Sequence, residues 1–303
     1  KEMLHTIQQE SGVDAQVLSV PHLELALEES EIPEIKAEVD RINGFEQFKS
    51  TWLEPSDVYA MEPRITSDNY GGALVEDVIM LDSYNLTLAT AQAAESRGIE
   101  IVLAEATGVI YDGDRAVGVK CGEERIYCDA VVLALGPWSG AANFWTDIDI
   151  PIVPQKGEIV RVEGLNPSLG IHIHCYSLGS SCSVIQKGDG ATWLAATVQD
   201  GSGFDVTPSG EALEALSLRG MRVVPELESH KLVLHTACMR PVTPDGDPII
   251  GKIPGKERAF IATGTGGKGI LMGPVIGRAI ADLIITGETD LPIAKFGLER
   301  FSN

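Results

Sequence analysis

Apolar and polar positions alternate with a period of two through the middle of the chain. The alternation occurs in four runs between residues 158 and 198: EIVRVEG, IHIHCYS, CSVIQKG and ATWLAATV. A period of two predicts strands with one buried and one solvated face, as in antiparallel sheets. A run with helical periodicity, GEALEALSLRGMRVV, follows them. We therefore expect an antiparallel sheet with one helix between residues 141 and 238.

The first 66 residues carry a mixed pattern. HLELAL at 22–27 alternates like a strand, whereas IPEIKAEVDRINGF has apolar residues at helical intervals. The segment is acidic and mostly helical by pattern. We expect it to form a peripheral layer of the fold.

Residues 81–136 carry the pattern of a nucleotide-type α/β core. LDSYNLTLATAQAAESRG predicts a helix that is capped by Asp82 or Ser83 and ends at Gly98, and IEIVL after it predicts a strand. Short runs separated by DGD and CGE turns predict a small β-meander: ATGVIY, RAVGVKC and ERIYC. DAVVLALG is an almost continuous apolar run ended by glycine, which is typical of a buried parallel strand.

A glycine-rich turn follows the last predicted strand. The segment 258–277, RAFIATGTGGKGILMGPVIG, leads into a helix expected over 273–286, and Gly264, Gly266 and Gly269 fit the GxGxxG spacing. That fingerprint belongs to the first βαβ unit, with a second strand and an acidic residue about 20 positions later. We expect no room for that strand in the residues after Gly269. We infer that the turn serves another part of a ligand, such as a flavin ring, and a tight turn without a ligand is the alternative.

The charge balance narrows the class of partner. Of 303 residues, 44 are Asp or Glu and 23 are Lys or Arg, which gives a net charge of −21. This charge repels nucleic acid and anionic membranes, so neither is an expected partner, and no apolar run reaches the roughly 18 residues that span a bilayer. The chain has five cysteines and no CxxC pair. We expect reduced thiols in a cytoplasmic protein, without a disulfide framework or a metal site.

Four motifs, in the same order, resemble FAD-dependent oxidoreductases of the D-amino acid oxidase superfamily, which contains glycine oxidase and sarcosine oxidase. They are the helix-to-meander block beginning at Leu81, VVLALGPWSG, PIVPQKGEIV, and RPVTPDGDPIIG leading into ATGTGGKGILMGPVIG. KFGLERF near the end is also similar to the terminal phrase of the family, and the similarity runs from about residue 10 to residue 301.

The resemblance implies an α/β fold with two parts. An FAD-binding, Rossmann-like domain is expected at 78–140 and 239–303, and a substrate-binding domain on a mixed, largely antiparallel sheet at 1–77 and 141–238. Family members open with a strand, a GxGxxG turn and a helix that hold the FAD pyrophosphate. We expect about 70 residues of this opening βαβ portion either to be missing or to lie outside the numbered sequence.

The resemblance assigns cofactor contacts at three places. Val109 is expected at the adenine, with a strand-core residue as the alternative reading. The strand end is expected to pass close to the cofactor at Ala134, Gly136 and Trp138, although Trp138 also suits a packing role. The glycine-rich turn is expected along the flavin ring: Gly264, Thr265, Gly266, Gly267, Lys268, Gly269, Ile270 and Leu271.

Arg240 is the predicted catalytic and substrate-binding residue. It matches the arginine that pairs with the substrate carboxylate in glycine oxidase, and a guanidinium fork suits a carboxylate. The alternative is a structural ion pair with Asp245 or Asp247. Cys238 matches the cysteine that sarcosine oxidase-like members join to the flavin, with an inert thiol as the alternative.

His172, His174 and Tyr176 alternate on one face of a predicted strand. We expect His174 and Tyr176 to line the substrate side of the flavin, and a polar outer strand face is the alternative reading. The resemblance implies FAD-dependent oxidation of a small amino acid or a secondary or tertiary amine, of the glycine, sarcosine, dimethylglycine or D-amino acid type. Hydride passes to flavin N5 and the imine is then hydrolysed.

Two other functions stay open at this point. The first is a non-catalytic subunit or fragment of such a flavoprotein, which the absent opening unit favours. The second is a relative of the 2-hydroxy acid or glycerol-phosphate dehydrogenases. The sequence leaves open which amine is the substrate, which acceptor reoxidises the flavin, and the oligomeric state.

Overall fold

The computed structural model describes residues 2–301, except for the side chains of Glu2 and Ser177. The chain divides into two compact units. Unit 1 contains the residues up to Gly98 together with Gly157–Val198 and Val206–Cys238. Unit 2 contains Ile99–Lys156, Gln199–Asp205 and the residues from Met239 onward. The assignment of the cofactor to one part of the chain and the substrate to the other stays a prediction.

Within residues 2–301 the α-helices are α1 Glu2–Ser11, α2 Ile32–Asn43, α3 Pro55–Met61, α4 Ser83–Ser96, α5 Asn143–Thr146, α6 Gly210–Val223 and α7 Gly269–Ile285. The strands are β1 Leu18–Leu25, β2 Ser50–Leu53, β3 Gly72–Met80, β4 Gly108–Asp112, β5 Arg115–Cys121, β6 Glu124–Tyr127, β7 Val131–Leu133, β8 Val153–Val162, β9 His172–Ser177, β10 Ser180–Gln186, β11 Thr192–Ala195, β12 Leu232–Val242, β13 Ile249–Lys252 and β14 Ala259–Thr263. No helix of this described part is both long and apolar enough to cross a bilayer.

The largest sheet has the strand order β12-β8-β11-β10-β9-β1-β3-β2. The pairs β8–β11, β11–β10 and β10–β9 are antiparallel, and β1 is parallel to β9 and antiparallel to β3. The sheet is therefore mixed and largely antiparallel, as the period-two runs predict. The α/β fold is confirmed.

The expectation of a peripheral layer over residues 1–66 is wrong for β1. This strand lies inside the sheet, between β9 and β3, and Leu23 and Leu25 are fully buried. The alternation in HLEL places both leucines on the core face and leaves His22 and Glu24 on the opposite face. The acidic residues that dominate the composition of the segment flank the strand and do not determine its position.

Helix α6 covers the core face of the sheet in unit 1. Ser209 caps it by accepting a hydrogen bond from the Ala212 N–H, and Leu216 and Val223 are fully buried. Gly220 allows the close approach, because a Cβ there would lie 2.7 Å from the Leu194 side chain. The amphipathic pattern of GEALEALSLRGMRVV thus produces the predicted helix.

Unit 2 contains two three-stranded sheets. The meander β4-β5-β6 is antiparallel, and β14 pairs in parallel with β7 and antiparallel with β13. The predicted meander and the parallel pairing of DAVVLALG are confirmed, but the strand is buried on one face only, since Val132 is exposed. In unit 1, helix α4 also begins as predicted, since the Asp82 carboxylate accepts a hydrogen bond from the Asn85 N–H.

The strand predicted for IEIVL is wrong. Residues 99–107 have no regular structure, and Ile99, Ile101 and Leu103 are exposed, Leu103 completely. A strand needs a neighbour that takes up its N–H and C=O groups, and no strand within residues 2–301 pairs with this segment. High β-propensity alone does not make a strand without that neighbour.

Candidate active site

The glycine-rich turn begins where β14 ends in unit 2. Gly264 and Gly266 have φ values of +76° and +53°, the left-handed region that glycine adopts at little cost. A 3₁₀ turn over Gly266–Lys268 leads directly into α7. The helix therefore begins at Gly269, earlier than the predicted start at 273, because the 3₁₀ turn already sets helical geometry.

Gly264 is required by space as well as by its backbone angle. A Cβ at this position would lie 2.7 Å from Thr243 Cγ2 and 3.3 Å from Ile152 Cδ1. Gly266 and Gly267 have open surroundings by comparison. The turn is thus anchored in the core at one end and open at the other.

The turn and the predicted catalytic arginine come together in unit 2. A Cβ built on Gly267 would have Arg240 Nε at 4.0 Å, and the Arg240 side chain is half-buried. Of the two carboxylates named as alternative partners of Arg240, Asp245 binds Arg300 with an Nε–Oδ2 distance of 2.7 Å, and Asp247 lies 3.6 Å from Lys295. A structural ion pair of Arg240 stays the alternative prediction. The Arg300 guanidinium lowers the pKa of the Asp245 carboxyl to about 2.

The open part of the turn is also the N-terminus of α7. Among the described residues no side chain hydrogen-bonds to the N-terminus of this helix, and its N-cap residue, Lys268, is exposed. Uncapped N–H groups and the helix dipole favour an electron-rich group at this end. Ile270 and Leu271 are exposed beside it, Leu271 by 82%. These features fit the ring of a flavin, whose carbonyl oxygens accept hydrogen bonds.

The end of β7 is tied to the same edge. The Gly136 carbonyl accepts hydrogen bonds from Ser139 Oγ at 2.7 Å and from Thr263 Oγ1 at 3.1 Å, and Thr263 is the last residue of β14. Ala134 is exposed here. Carboxyl ends of parallel strands are where ligands bind in open α/β sheets. The structure thus brings the predicted strand end and the glycine-rich turn together.

Three other predicted cofactor residues lie in different surroundings. The Val109 side chain is buried in the core of unit 2, so a contact with a ligand would come from its backbone. Trp138 is exposed and stacks on Phe204 with 5.8 Å between ring centroids. Cys238 has an exposed thiol in β12. Their roles at the cofactor stay predictions.

His174 and Tyr176 lie on β9 in unit 1 and line a cavity of about 600 Å³. Helix α2 and strands β1 and β3 form its other walls. The Tyr176 hydroxyl donates to the Gly179 carbonyl at 2.9 Å, and His174 Nδ1 lies 2.7 Å from Glu24 Oε2. The alternating residues of β9 therefore face a cleft, and their contact with substrate stays a prediction.

The sequence analysis missed the partners of these residues. His22 and Glu24 share the cavity face of β1, and His22 Nδ1 lies 3.0 Å from His172 Nδ1. Burial raises the pKa of Glu24, but hydrogen bonds to His174 and His22 outweigh it and hold the value at about 2. The hydrogen bond to Glu24 raises the pKa of His174. The alternation in HLEL indicates that His22 and Glu24 share one face of a strand. The sequence does not indicate that this strand pairs with β9.

Burial, and to a smaller extent the positive charges of the neighbouring His22 and His174, lower the pKa of His172 to about 3. A lowered pKa favours the neutral imidazole in the folded state. The contribution of neutral His172 to the stability of the folded state is complete above the pKa of histidine in the unfolded chain, about 6.5. It is lost as the pH falls from there toward the folded pKa of about 3. Replacing His172 by Gln is expected to remove up to about 2 kcal/mol of the pH dependence between pH 8 and pH 5. Urea unfolding of both proteins at these two pH values measures it, and equal pH dependence would contradict the assignment.

Comparison with known proteins places these features in a family. Residues 1–283 match the family model described as FAD dependent oxidoreductase, DAO. The chain is 34% identical over 180 residues to a glycine oxidase of Pseudomonas aeruginosa, covering 59% of this chain and 48% of that protein. It is 30% identical over 254 residues to hydrogen cyanide synthase subunit HcnC of Pseudomonas protegens, covering 83% of this chain and 60% of that protein.

The chain thus spans about half the length of the first of these relatives and 60% of the second. Among solved structures, glycine oxidase from Geobacillus kaustophilus superposes with a TM-score of 0.92 at 25% identity, covering 100% of this chain and 80% of that one. The family match extends over most of the chain and agrees with the fold. The chain belongs to the FAD-dependent oxidoreductase (DAO) family.

Proposed function

We propose that this chain forms part of an enzyme that oxidises a small amino acid or a secondary or tertiary amine with FAD. The observation that carries the proposal is the position of Arg240 beside Gly267, at the open end of the glycine-rich turn. A guanidinium next to a surface suited to a flavin ring is placed to hold a substrate carboxylate against that ring. The relatives named glycine oxidase support an amino acid of the glycine type.

FAD supplies the acceptor for the hydride that leaves the substrate carbon. The chain's own residues hold and orient the reactants. Gly266 and Gly267 would let the backbone come close to a bound flavin, and the N–H groups at the start of α7 would supply hydrogen bonds and partial positive charge to it. Arg240 pairs with the carboxylate, which places the amine end at a fixed distance from the ring.

Two finer predictions accompany this proposal. Cys238 is the residue that a covalent link to FAD would use, and its exposed position is compatible with that role; an unreacted thiol is the alternative. Acid denaturation followed by filtration tests it, since a freely released yellow cofactor excludes a thioether. A cytoplasmic location stays a prediction.

The direct test is a substrate panel with the purified full-length protein. Glycine, sarcosine, dimethylglycine, proline and D-amino acids are mixed anaerobically with it, and the loss of oxidised-flavin absorbance is followed. We expect at least one amine to bleach the flavin. Bleaching by 2-hydroxy acids or glycerol phosphate alone would favour a dehydrogenase relative. A full-length protein without flavin bands, even after FAD is added, would indicate a non-catalytic subunit.

A further inference from the structure

The turn between β12 and β13, residues 243–248, connects Arg240 to the glycine-rich turn within unit 2. Arg240 lies two residues before the end of β12, and Thr243 follows that strand directly. Thr243 is buried, and its Cγ2 lies 2.7 Å from the position that a Cβ on Gly264 would take. Arg240 reaches the same glycine-rich turn further along, where its Nε lies 4.0 Å from the Cβ position of Gly267. The position of the β12–β13 turn therefore sets the distance between Arg240 and the surface proposed for the flavin ring.

Hydrogen bonds within the β12–β13 turn order its inner side. The Thr243 carbonyl accepts from the Gly246 N–H at 3.2 Å, and Thr243 Oγ1 donates to the Asp247 carbonyl at 2.7 Å. The Asp247 N–H donates to Asp245 Oδ1 at 3.1 Å. These bonds shape the turn, but none of them joins it to the rest of unit 2.

Arg300 joins the outer side of this turn to the segment 294–301. Its Nε and Nη2 donate to the two carboxylate oxygens of Asp245 at 2.7 and 3.2 Å, and Nη2 also donates to the Asp247 carbonyl at 2.8 Å. Its Nη1 donates to the carbonyls of Phe296 and Gly297 at 2.9 and 3.0 Å. Each guanidinium nitrogen thus has an acceptor, and the side chain is only 19% exposed.

The segment that carries Arg300 is anchored in the core of unit 2. Leu298 is buried in one apolar cluster with Ile249 and Ile253, and Phe301 packs against this cluster. A guanidinium that binds a carboxylate through two nitrogens fixes the orientation of the pair as well as its distance. Arg300 therefore fastens the β12–β13 turn to the core.

We propose that Arg300 is a positioning residue for Arg240, an inference that rests on the proposed function. By fastening the β12–β13 turn, it keeps the Arg240 guanidinium at the distance from the glycine-rich turn at which a substrate carboxylate binds. The role involves no covalent or redox step, and Arg300 acts through the turn. Without this fastening, Arg240 keeps its charge and loses its fixed position. Carboxylate binding is then expected to weaken more than the reaction of the bound substrate slows.

The test measures KM and kcat for an amino acid with the full-length, flavin-bound wild type and three variants. Arg300→Ala is expected to raise KM by about 10- to 100-fold with a smaller change in kcat, because a displaced guanidinium holds the carboxylate poorly. Arg300→Lys keeps the charge and loses the fork, so KM is expected to recover in part. Lys295→Ala removes an exposed cation 3.6 Å from Asp247 on the same turn, and both constants are expected to stay unchanged. Oxidation of an amine without a carboxylate is expected to be equal in all four proteins.

Acetate provides a readout that does not depend on turnover, since it offers a carboxylate without an amine. Its dissociation constant, measured by calorimetry, is expected to rise in Arg300→Ala by the same factor as KM and to stay unchanged in Lys295→Ala. Denaturant unfolding of each variant checks that it is folded. If Arg300→Ala does not fold, Asp245→Asn takes its place, and a rise in the acetate constant is again expected.

The outcomes separate this inference from the proposed function. A folded Arg300→Ala with the KM and the acetate affinity of the wild type would overturn the positioning role alone. A wild type that binds acetate but oxidises no amine would remove the proposed function, and the acetate affinities would then decide the role of Arg300. A wild type that does not bind acetate would remove the carboxylate site at Arg240 and the positioning role with it.

Discussion

Replacing Arg240 by Ala is expected to lower kcat/KM for an amino acid substrate by about 30- to 1,000-fold. Removing one partner of a close charge pair costs about 2–4 kcal/mol, and each 1.36 kcal/mol is tenfold in rate. The loss is expected mainly in KM, because the carboxylate is held alike in the ground state and the transition state. Steady-state kinetics of the full-length enzyme measures it.

The matched controls separate carboxylate binding from general damage. Arg278→Ala removes an exposed arginine of α7 whose partners are Asp282 and Asp290, and it is expected to leave the kinetics unchanged. An amine without a carboxylate is expected to be oxidised equally well by the wild type and Arg240→Ala. An equal loss for both kinds of substrate would show that Arg240 supports the structure and does not bind the carboxylate.

Replacing Gly264 by Ala is expected to destabilise the protein by about 2–5 kcal/mol. A left-handed backbone costs an alanine about 1–2 kcal/mol, and the overlap of its methyl group with Thr243 Cγ2 at 2.7 Å adds about 1–3 kcal/mol of overpacking. Denaturant unfolding measures the loss. The loss of flavin is expected to follow, since the turn starts at this residue.

Gly277 provides the matched control for this substitution. It lies in α7 with a helical backbone, and a Cβ there would meet no described atom within 4 Å apart from its chain neighbours and the nearby backbone of its own helix. Gly277→Ala is expected to keep or raise the stability, by up to about 1 kcal/mol from helix propensity. If Gly264→Ala unfolds at the same denaturant concentration as Gly277→Ala, the claim that position 264 requires glycine is wrong.

Local patterns predicted the elements whose packing partners lie nearby in sequence. The period-two runs became β8 to β11, and the capped helix α4 begins at Ser83 as expected. The prediction failed for IEIVL, because a parallel strand depends on a neighbour that local sequence does not specify. It also failed for the position of β1, because acidity of a segment does not exclude one buried strand face.

In the candidate site too, local sequence predicted the individual residues but not the contacts between them. Motif order identified Arg240 and the glycine-rich turn, but their approach at Gly267 depends on how β12 and α7 pack, which no local pattern contains. Glu24 and His174 are 150 positions apart in sequence. Their hydrogen bond arises from the parallel pairing of β1 with β9. The sequence could therefore indicate the strand face on which each residue lies, but not that the two residues meet.

The binding of FAD to Gly267→Val tests the central claim, that the turn at 264–271 lies along a flavin ring. A Cβ at this position has only Arg240 Nε within 4.0 Å in the described part of the chain, so the fold can accommodate a side chain there. The measurement is FAD affinity of the full-length protein, followed by flavin absorbance, beside unfolding and the Gly277→Ala control. We expect affinity at least about tenfold weaker, equivalent to about 1.4 kcal/mol, with unchanged stability. Unchanged FAD affinity in folded Gly267→Val would contradict the account.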